Sequence, residues 1–308
     1  MERDLLQPPL SPRLAPLPLE QLPDLPPLPL AVVGHVEVVS FLAVEQLPVA
    51  GAVARASRFA EEPAGAAAVA AVQMHRLTAA PVVLFTALGR DRAGEAAAER
   101  LQALGLELVI AWREGPTRRG VSLVDASGDR SIVVAGERLA PVAADPLPWE
   151  RLSACAGVFV TATDAAGLTL ARRAPVLTAT PRLRLPVLQE AGVHLDALIG
   201  SALDPAEQVP AGALNPTPRL QIATAGAEGG VVAPLGAFAA PRRDRPGIDS
   251  YGAGDCFAAG VTAALAAGWD ARAAISLGCH CGSACLDGFG PYSSQLVRRD
   301  SEGAAPSP

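Results

Sequence analysis

The segment IDSYGAGDCFAAGVTAALAAG (residues 248–268) decides how the rest of the chain is interpreted. Two acids, Asp249 and Asp255, flank a run of small residues, and an Ala-rich stretch follows at once. Ala is the strongest helix former, and Gly268 closes the stretch, so the composition predicts a helix that begins near Asp255. The segment therefore places a carboxylate at the start of a helix, directly after residues with almost no side chains.

Gly252, Ala253 and Gly254 leave the backbone at that helix start unobstructed. The N–H groups of a first helical turn carry partial positive charge, and small residues there let an anion such as a phosphate approach closely. A carboxylate in the same place would repel a phosphate unless it had a separate task. Asp ionises near pH ~3.9 when unperturbed, so Asp255 is available to take a proton from an attacking hydroxyl. The structural alternative is that Asp255 only caps the helix.

Composition narrows the classes of function. The chain has 308 residues, half of them apolar, and a net charge of −6, which argues against a general nucleic-acid binder. All basic residues are Arg, so a P-loop, which needs a Lys, is excluded. The N-terminus lacks the apolar core of a secretory signal, and no apolar run is long enough to span a membrane. We therefore expect a cytoplasmic protein with reduced thiols and no membrane partner.

The two ends differ in composition from the centre of the chain. Residues 1–30 contain nine prolines, which predicts a Pro-rich, disordered arm over 1–29. Residues 297–308 form a similar tail. Residues 30–296 are expected to form one domain.

Within 30–296, short apolar strands alternate with helical segments. This alternation predicts an α/β fold with a mostly parallel central sheet and helices on both faces. One stretch, residues 118–137, is typical instead of two alternating strands joined by the turn ASGD. We interpret this hairpin as part of a small β lid, with lid strands within about 38–60 and 117–136; the alternative is a hairpin without functional meaning.

The motifs of this chain resemble those of the ribokinase-like (PfkB) carbohydrate kinases. The segment DSYGAGDCFAAGVTAAL (249–265) is similar to the family's D-T-x-G-A-G-D signature and the small-residue helix that follows it. TALGRDRAGEAAAERLQALGLEL (86–108) and TRRGVSLVDASGDRSIVV (117–134) resemble the family's strand–helix segment and lid hairpin. TAGAEGG (224–230) resembles its nucleotide loop, and all these segments occur in the family's order. The resemblance implies a three-layer ribokinase-like fold.

The resemblance also implies a role for each matched residue. Asp255 would be the general base, and the backbone N–H groups of Gly252, Ala253 and Gly254 would form the anion hole for the transferred phosphoryl group. Asp249 would help to hold a monovalent cation such as K⁺. The residues implied to line the ATP pocket are Thr224, Gly226, Gly229 and Gly288, the last of them in the loop DGFGP (287–291).

The acceptor side departs from the family's pattern. The family's G-G-x-G-x-N appears here as AGAAAV (64–69), so Gly65 is kept but Val69 stands where an Asn would contact the substrate. The acid of the family's first strand is replaced by Val39, and Glu37 lies two residues earlier, on the same face of the strand. We expect Glu37 and Gly65 to contact the substrate beside Asp255; the alternative for Glu37 is a solvent-facing acid.

The family's N-x-x-E, which organises Mg²⁺ and phosphate, appears as SALD, with Ser201 and Asp204 at the outer positions. A water molecule can bridge the distance lost by the shorter acid, so we expect Asp204 to hold Mg²⁺ through water and Ser201 to lie beside the nucleotide.

The sequence thus predicts an ATP-dependent, Mg²⁺-requiring phosphotransferase that acts on a hydroxyl of a small sugar-like or nucleoside-like molecule. The acceptor is left open among sugars, sugar acids, polyols and nucleosides. The altered motifs support a second hypothesis, a ligand-binding pseudokinase with little turnover. A third is a scaffold that works through the Pro-rich arm. The resemblance also implies a homodimer that pairs through the lid.

Overall fold

The computed structural model describes residues 13–128 and 130–297. Its strands are β1 (Leu30–Val33), β2 (Glu37–Ala43), β3 (Arg58–Ala64), β4 (Val82–Gly89), β5 (Leu106–Arg113), β6 (Arg119–Val124), β7 (Arg130–Ala135), β8 (Gly157–Val160), β9 (Val176–Ala179), β10 (Ala197–Ser201), β11 (Leu220–Thr224), β12 (Gly230–Ala233) and β13 (Gly236–Phe238). Its α-helices are α1 (Ala66–Thr78), α2 (Arg92–Ala103), α3 (Ala165–Ala171), α4 (Leu185–Ala191), α5 (Ala253–Ala266) and α6 (Ala271–Cys285).

Nine strands form the central sheet, in the order β13-β12-β11-β10-β9-β8-β1-β4-β5. From β11 to β5 every neighbouring pair is parallel, and β12 and β13 extend the sheet as an antiparallel edge. Parallel strands need crossover connections, which place helices on the faces of the sheet. The predicted fold class, a mostly parallel sheet in an α/β fold, is confirmed.

The two faces of the central sheet bury separate cores. On one face, alternate residues such as Val32 and Leu84 pack with α1, α5 and α6. On the other face, their neighbours Val33 and Phe85 pack with α3, α4 and the segment around Trp149. The strands are apolar on both sides for this reason, and the result is three layers.

The apolar, β-branched stretch LAVVGHVEVVSFLAV (residues 30–44) forms two strands in different sheets. The chain leaves the central sheet at Gly34, where a Cβ atom would lie 1.8 Å from Thr161 Oγ1. Only glycine fits so close an approach. The continuous apolar pattern of the sequence conceals this break.

The second sheet has four strands in the order β3-β2-β6-β7. β2 pairs parallel to β6, and the outer strands pair antiparallel. These strands occupy the region in which the sequence analysis places the lid, and the sheet projects from the carboxyl end of β1. We refer to it as the lid.

The N-terminal segment differs from the expected disordered arm. The backbone of Leu14 exchanges hydrogen bonds with Ala237 and Ala239 at 2.9 Å, and the N–H of Leu17 donates to Ser276 Oγ, also at 2.9 Å. Proline favours extended backbone, which suits a segment that lies along a sheet edge. Residues 13–29 therefore follow the body of the domain, whereas the first twelve residues of the arm and positions 298–308 of the tail lie outside the described residues.

Among the described residues, no helix combines the length and the hydrophobicity needed to cross a membrane.

Candidate active site

The predicted site residues gather where the parallel strands end. Glu37 follows β1 after a short connection, Ser201 ends β10, and Thr224 ends β11. Ser201 and Thr224 are direct neighbours in the sheet register. In open α/β sheets, ligands bind beyond the carboxyl ends of the strands, so this edge is the expected place for a site.

The start of α5 is open to an approaching anion. Gly252 adopts φ +82° and begins the helix without a side-chain cap. A Cβ atom on Gly252 would lie 2.8 Å from Val69 Cγ1, whereas one on Gly254 would meet nothing within 4 Å. In the described part of the chain, the N–H groups of Gly254 and Asp255 have no hydrogen-bond partner, and Ala253 makes only a long bond of 3.4 Å to Ser250. The orphan donors of this first turn therefore face open space.

Asp255 does not cap its helix. The side chain is 18% exposed, and its Oδ1 lies 3.9 Å from Arg182 Nη1. Burial raises the pKa of Asp255, Arg182 opposes this rise, and Glu207 adds to it. A carboxylate with a raised pKa beside unpaired N–H groups has the character of a general base.

Arg182 and Glu207 complete this half of the site, and sequence reasoning missed both. Arg182 follows β9, and its Nε donates to Glu207 Oε1 at 2.5 Å. The buried Glu207 also accepts the N–H of Ser201 at 2.9 Å. This chain of contacts links the end of β10 to Asp255 at the start of α5. The one sequence signal is that Arg182 lies three residues after the end of β9, in a fold whose strand ends carry function.

Glu37 points into the site rather than to solvent. Its side chain is 9% exposed, and Oε2 lies 3.1 Å from Arg118 Nε. The two atoms are not aligned as a hydrogen bond, and each is a buried polar atom without a hydrogen-bond partner. Burial raises the pKa of Glu37, and Arg118 and Arg138 oppose the rise.

His35 and Arg138 lie beside Glu37. Arg138 donates to His35 Nδ1 at 3.0 Å and to the carbonyl oxygens of Thr161 and Arg182 at 3.0 and 2.9 Å. A guanidinium only donates, so His35 Nδ1 accepts and the ring is neutral. Burial, Arg138 and Arg118 all lower the pKa of His35, in agreement with that assignment.

Tyr251 and Asp249 hold the loop that leads into α5. The Tyr251 hydroxyl accepts the N–H of Gly65 at 3.1 Å, which ties the start of α1 to this loop. Asp249 is fully buried, and its two oxygens accept the N–H groups of Tyr251 and Gly290 at 2.9 and 3.0 Å. Gly65 is therefore a structural partner of Tyr251, and Asp249 fixes the backbone around the helix start.

The predicted nucleotide loop lies after β11. Thr224 Oγ1 donates to the carbonyl of Gly200 at 3.3 Å. Gly226 and Gly229 have φ values of +57° and +87°, and a Cβ atom on Gly229 would lie 2.0 Å from the carbonyl oxygen of Phe238. The two glycines give a tight turn with backbone free of side chains at both ends, which suits a loop that contacts a ligand through its backbone.

Three further predicted residues have other partners. Asp204 is partly exposed and accepts the N–H of Ala206 at 2.9 Å, so it caps a short 3-10 helix. Ser201 Oγ accepts the N–H of Leu203 at 3.1 Å. Gly288 is buried, and a Cβ atom there would lie 2.1 Å from Ser293 Oγ. A nucleotide contact at Gly288 would therefore come from backbone alone.

A sequence model described as pfkB family carbohydrate kinase matches residues 29–190 and 194–297 of the chain. Curated proteins gave no match.

Solved structures share the fold over most of the chain. A ribokinase from Thermotoga maritima is 20% identical with a TM-score of 0.68, covering 88% of this chain and 97% of that chain. A ribokinase from Arabidopsis thaliana, complexed with ribose and ATP, is 19% identical with a TM-score of 0.69, covering 88% and 96%. An adenosine kinase from Sinorhizobium meliloti is 16% identical with a TM-score of 0.66, covering 86% and 95%.

Proposed function

Because the chain belongs to the pfkB family of carbohydrate kinases, we propose that it transfers the γ-phosphoryl group of ATP to a hydroxyl of a small sugar-like or nucleoside-like molecule. The observation that carries the proposal is the start of α5. There, Asp255 stands beside two N–H groups that have no partner among the described residues.

The chemistry follows from that geometry. The acceptor oxygen attacks the γ-phosphorus as its proton passes to the Asp255 carboxylate, and the bond between that phosphorus and the ADP oxygen breaks. The backbone N–H groups of Gly252, Ala253 and Gly254, together with that of Asp255, stabilise the charge on the transferred group. Phosphoryl transfer depends on positioning and charge stabilisation more than on covalent chemistry, and both are available here.

Arg182 has two tasks in this proposal. It lies 3.9 Å from Asp255 and lowers the pKa of that carboxyl, which keeps more of the base ionised. It also brings a positive charge to the place where the phosphoryl group is transferred.

The residues present fit a magnesium nucleotide. The glycine turn at Gly226 and Gly229, beside Thr224, would receive the nucleotide, with Gly288 contributing backbone. Ser201 and the acids Asp204 and Glu207 would hold Mg²⁺ through water, and the ion would neutralise phosphate charge. A monovalent cation at Asp249 stays a prediction. It is supported by the two oxygens of Asp249, each of which accepts one N–H bond and keeps a further lone pair.

Glu37 and Gly65 lie on the acceptor side. The unpartnered Oε2 of Glu37 is available to accept a bond from a substrate hydroxyl. Val69 offers no such group, since its side chain packs against Gly252.

The test is a screen for ADP release over sugars, sugar acids, polyols and nucleosides. Asp255→Asn should lower kcat by about 10²–10⁴-fold on the acceptor so found. Asp270→Asn is the matched control, since Asp270 caps α6 and Asn caps equally well. Full turnover in the Asp255→Asn variant would falsify the assignment.

The second candidate is a pseudokinase, which the substitution at Val69 and the short acid Asp204 favour. It predicts ATP binding by calorimetry with no ADP release above the Asp255→Asn blank on any acceptor in the panel.

The scaffold hypothesis has its own test. Because Leu14 and Leu17 bond to the body of the domain, deleting residues 1–29 should lower the free energy of unfolding by about 2–4 kcal/mol in urea. If this deletion abolished the protein's function while nucleotide binding and stability were unchanged, the arm and not the kinase site would carry the function.

We also propose that two copies pair through the lid. Its outer face exposes Phe59, Val121 and Val133 by 66%, 39% and 68%. Val121 and Val133 are paired on β6 and β7, and Phe59 lies on β3 at the other edge of the same sheet. Exposed apolar surface of this kind marks interaction sites. Phe59→Ser should convert a dimer to a monomer in sedimentation analysis, and a wild-type monomer would refute the pairing.

A cytoplasmic location belongs to the same proposal. The five cysteines are buried and unpaired, as expected for a reducing compartment. Fractionation of the native host should find the protein there and not in a secreted fraction.

A further inference from the structure

The acceptor side of the site has more positive charge than its own acids neutralise. We propose that the phosphoryl acceptor carries an anionic group, a carboxylate or a phosphate, and that Arg118 and Arg138 bind it. This inference rests on the proposed function, because it specifies the chemical class of the acceptor at that site.

Arg118 is held near Glu37, but its N–H donors lack hydrogen-bond partners among the described residues. Its side chain is 18% exposed, and its contact is the ion pair with Glu37 at 3.1 Å. Arg118 Nε is buried without a hydrogen-bond partner, and no hydrogen bond to its terminal nitrogens occurs among the described residues. A buried donor without a partner is costly, so a mostly buried arginine with free donors beside Glu37 indicates a ligand that accepts hydrogen bonds.

Arg138 is fixed in place by neutral groups. Its three acceptors are two backbone carbonyls and the neutral imidazole of His35, and no described carboxylate is in salt-bridge contact with it. Three of its five N–H donors are used in these bonds. Burial is the largest cause that lowers the pKa of Arg138 to about 10; the charges of Arg182 and Arg118 contribute to the lowering, and Glu37 opposes it. The guanidinium is therefore pre-oriented and lacks a counter-ion.

Two other arginines of the site, Arg182 and Arg130, already have partners. Arg182 pairs with Glu207 at 2.5 Å and lies 3.9 Å from Asp255, on the side where the phosphoryl group is transferred. Arg130 reaches from the lid to Ser250 and lies over the ring of Tyr251. Among the acids that the structure describes on the acceptor side, Glu37 is the one that faces both Arg118 and Arg138.

An anionic, polyhydroxylated molecule matches this arrangement. A hydroxyl can donate to Glu37 Oε2, while a carboxylate or phosphate accepts from the arginines; guanidinium groups recognise both anions well. A neutral acceptor would leave the arginines unpaired. We therefore expect the charged member of a matched pair to bind at least ~10-fold more tightly than the neutral member.

The experiment measures binding by calorimetry in the presence of a non-hydrolysable ATP analogue, which occupies the nucleotide side. Two matched pairs separate the sources of the anion: an aldonic acid beside its alditol, and a hexose phosphate beside the parent hexose. The preference for the charged member should weaken as ionic strength rises, because salt screens charge pairs.

Variants on adjacent residues of the lid provide the control. Arg118→Gln should reduce the preference about 10-fold, and Arg118→Lys should retain part of it. Arg119→Gln should leave it unchanged, since Arg119 is 58% exposed and its contact is a distant ion pair of 4.0 Å with Glu61. Thermal melting of each variant verifies that the fold is intact.

The outcomes separate this inference from the proposed function. Binding of a charged member together with no ADP release from any acceptor would refute the kinase but keep the anion site. ADP release with neutral acceptors alone would keep the kinase and overturn the anion site. Equal binding within both pairs, no binding of either charged member, or an unchanged preference in Arg118→Gln would also overturn it.

Discussion

Replacing Arg182 by Met should move the acid limb of the pH–rate profile to higher pH. Arg182 lowers the pKa of Asp255 across the 3.9 Å between Nη1 and Oδ1. Without the guanidinium, the carboxyl holds its proton to a higher pH, and a protonated base cannot accept the proton of the acceptor.

The size of the shift follows from Coulomb's law. At 3.9 Å and an effective dielectric constant of ~20, the attraction is about 4 kcal/mol, equivalent to about 3 pKa units. Glu207 shares the charge of Arg182, and the Arg182 side chain is 43% exposed, so solvent screens the pair. We therefore expect a displacement of about one unit.

The assay is a discontinuous measurement of ADP, which avoids coupling enzymes that fail in acid. kcat/KM is compared between wild type and variant on the same acceptor, so that titrations of ATP and acceptor cancel. Arg182→Lys retains a positive charge, so the acid limb of its pH–rate profile should stay close to that of the wild type. A correctly folded Arg182→Met variant with an unmoved limb, or one moved to lower pH, would refute this account of Asp255.

Two further predictions concern stability, measured by urea unfolding. Gly252→Ala should lower the free energy of unfolding by about 2–4 kcal/mol, because φ is +82° and the new Cβ would overlap Val69. Gly254→Ala should change the free energy of unfolding by less than about 0.5 kcal/mol, because a Cβ there meets no neighbour. Equal effects of the two variants would contradict the assigned backbone geometry. Asp145→Asn should cost about 1–3 kcal/mol at neutral pH, because Asp145 accepts two bonds from Arg113 at 2.6 and 2.7 Å. These bonds lower the pKa of Asp145, so its contribution is complete above the unfolded pKa of ~3.9 and disappears as the pH falls through the lower folded value. A wild-type advantage that persisted in strong acid would be inconsistent with that linkage.

The sequence predicted the central sheet because its signals are local. The apolar runs of the sequence at 80–88, 106–112 and 219–226 overlap β4, β5 and β11, and Pro or Gly lies close to each of them. It did not predict the division of 30–44 between two sheets, since the steric demand at Gly34 comes from Thr161, more than a hundred residues away.

The open helix start in residues 248–268 was also predictable from local signals. The small residues before Asp255 define an open helix start in any fold, and α5 begins at Ala253, two residues earlier than predicted. The family motif predicted Asp204 as the acid that faces the site. In the structure Glu207, three residues later, points inward and contacts Arg182, whereas Asp204 caps a short helix. Which of two nearby acids faces a site depends on how the loop packs, and sequence spacing does not determine it.

The sequence by itself determined the α/β alternation, the open helix start and the carboxylate beside it, because each depends on neighbours in the chain. Only the tertiary structure decided the charges around that carboxylate and around Glu37. Arg118, Arg138 and Arg182 lie in separate segments, and they meet because the lid folds back over the carboxyl ends of parallel strands. The physical reason is that charges interact over long distances in a partly buried site. The pKa of Asp255 and the preference for an acceptor therefore depend on the distances between charged groups, and these distances are set only when the sheet and the lid have formed.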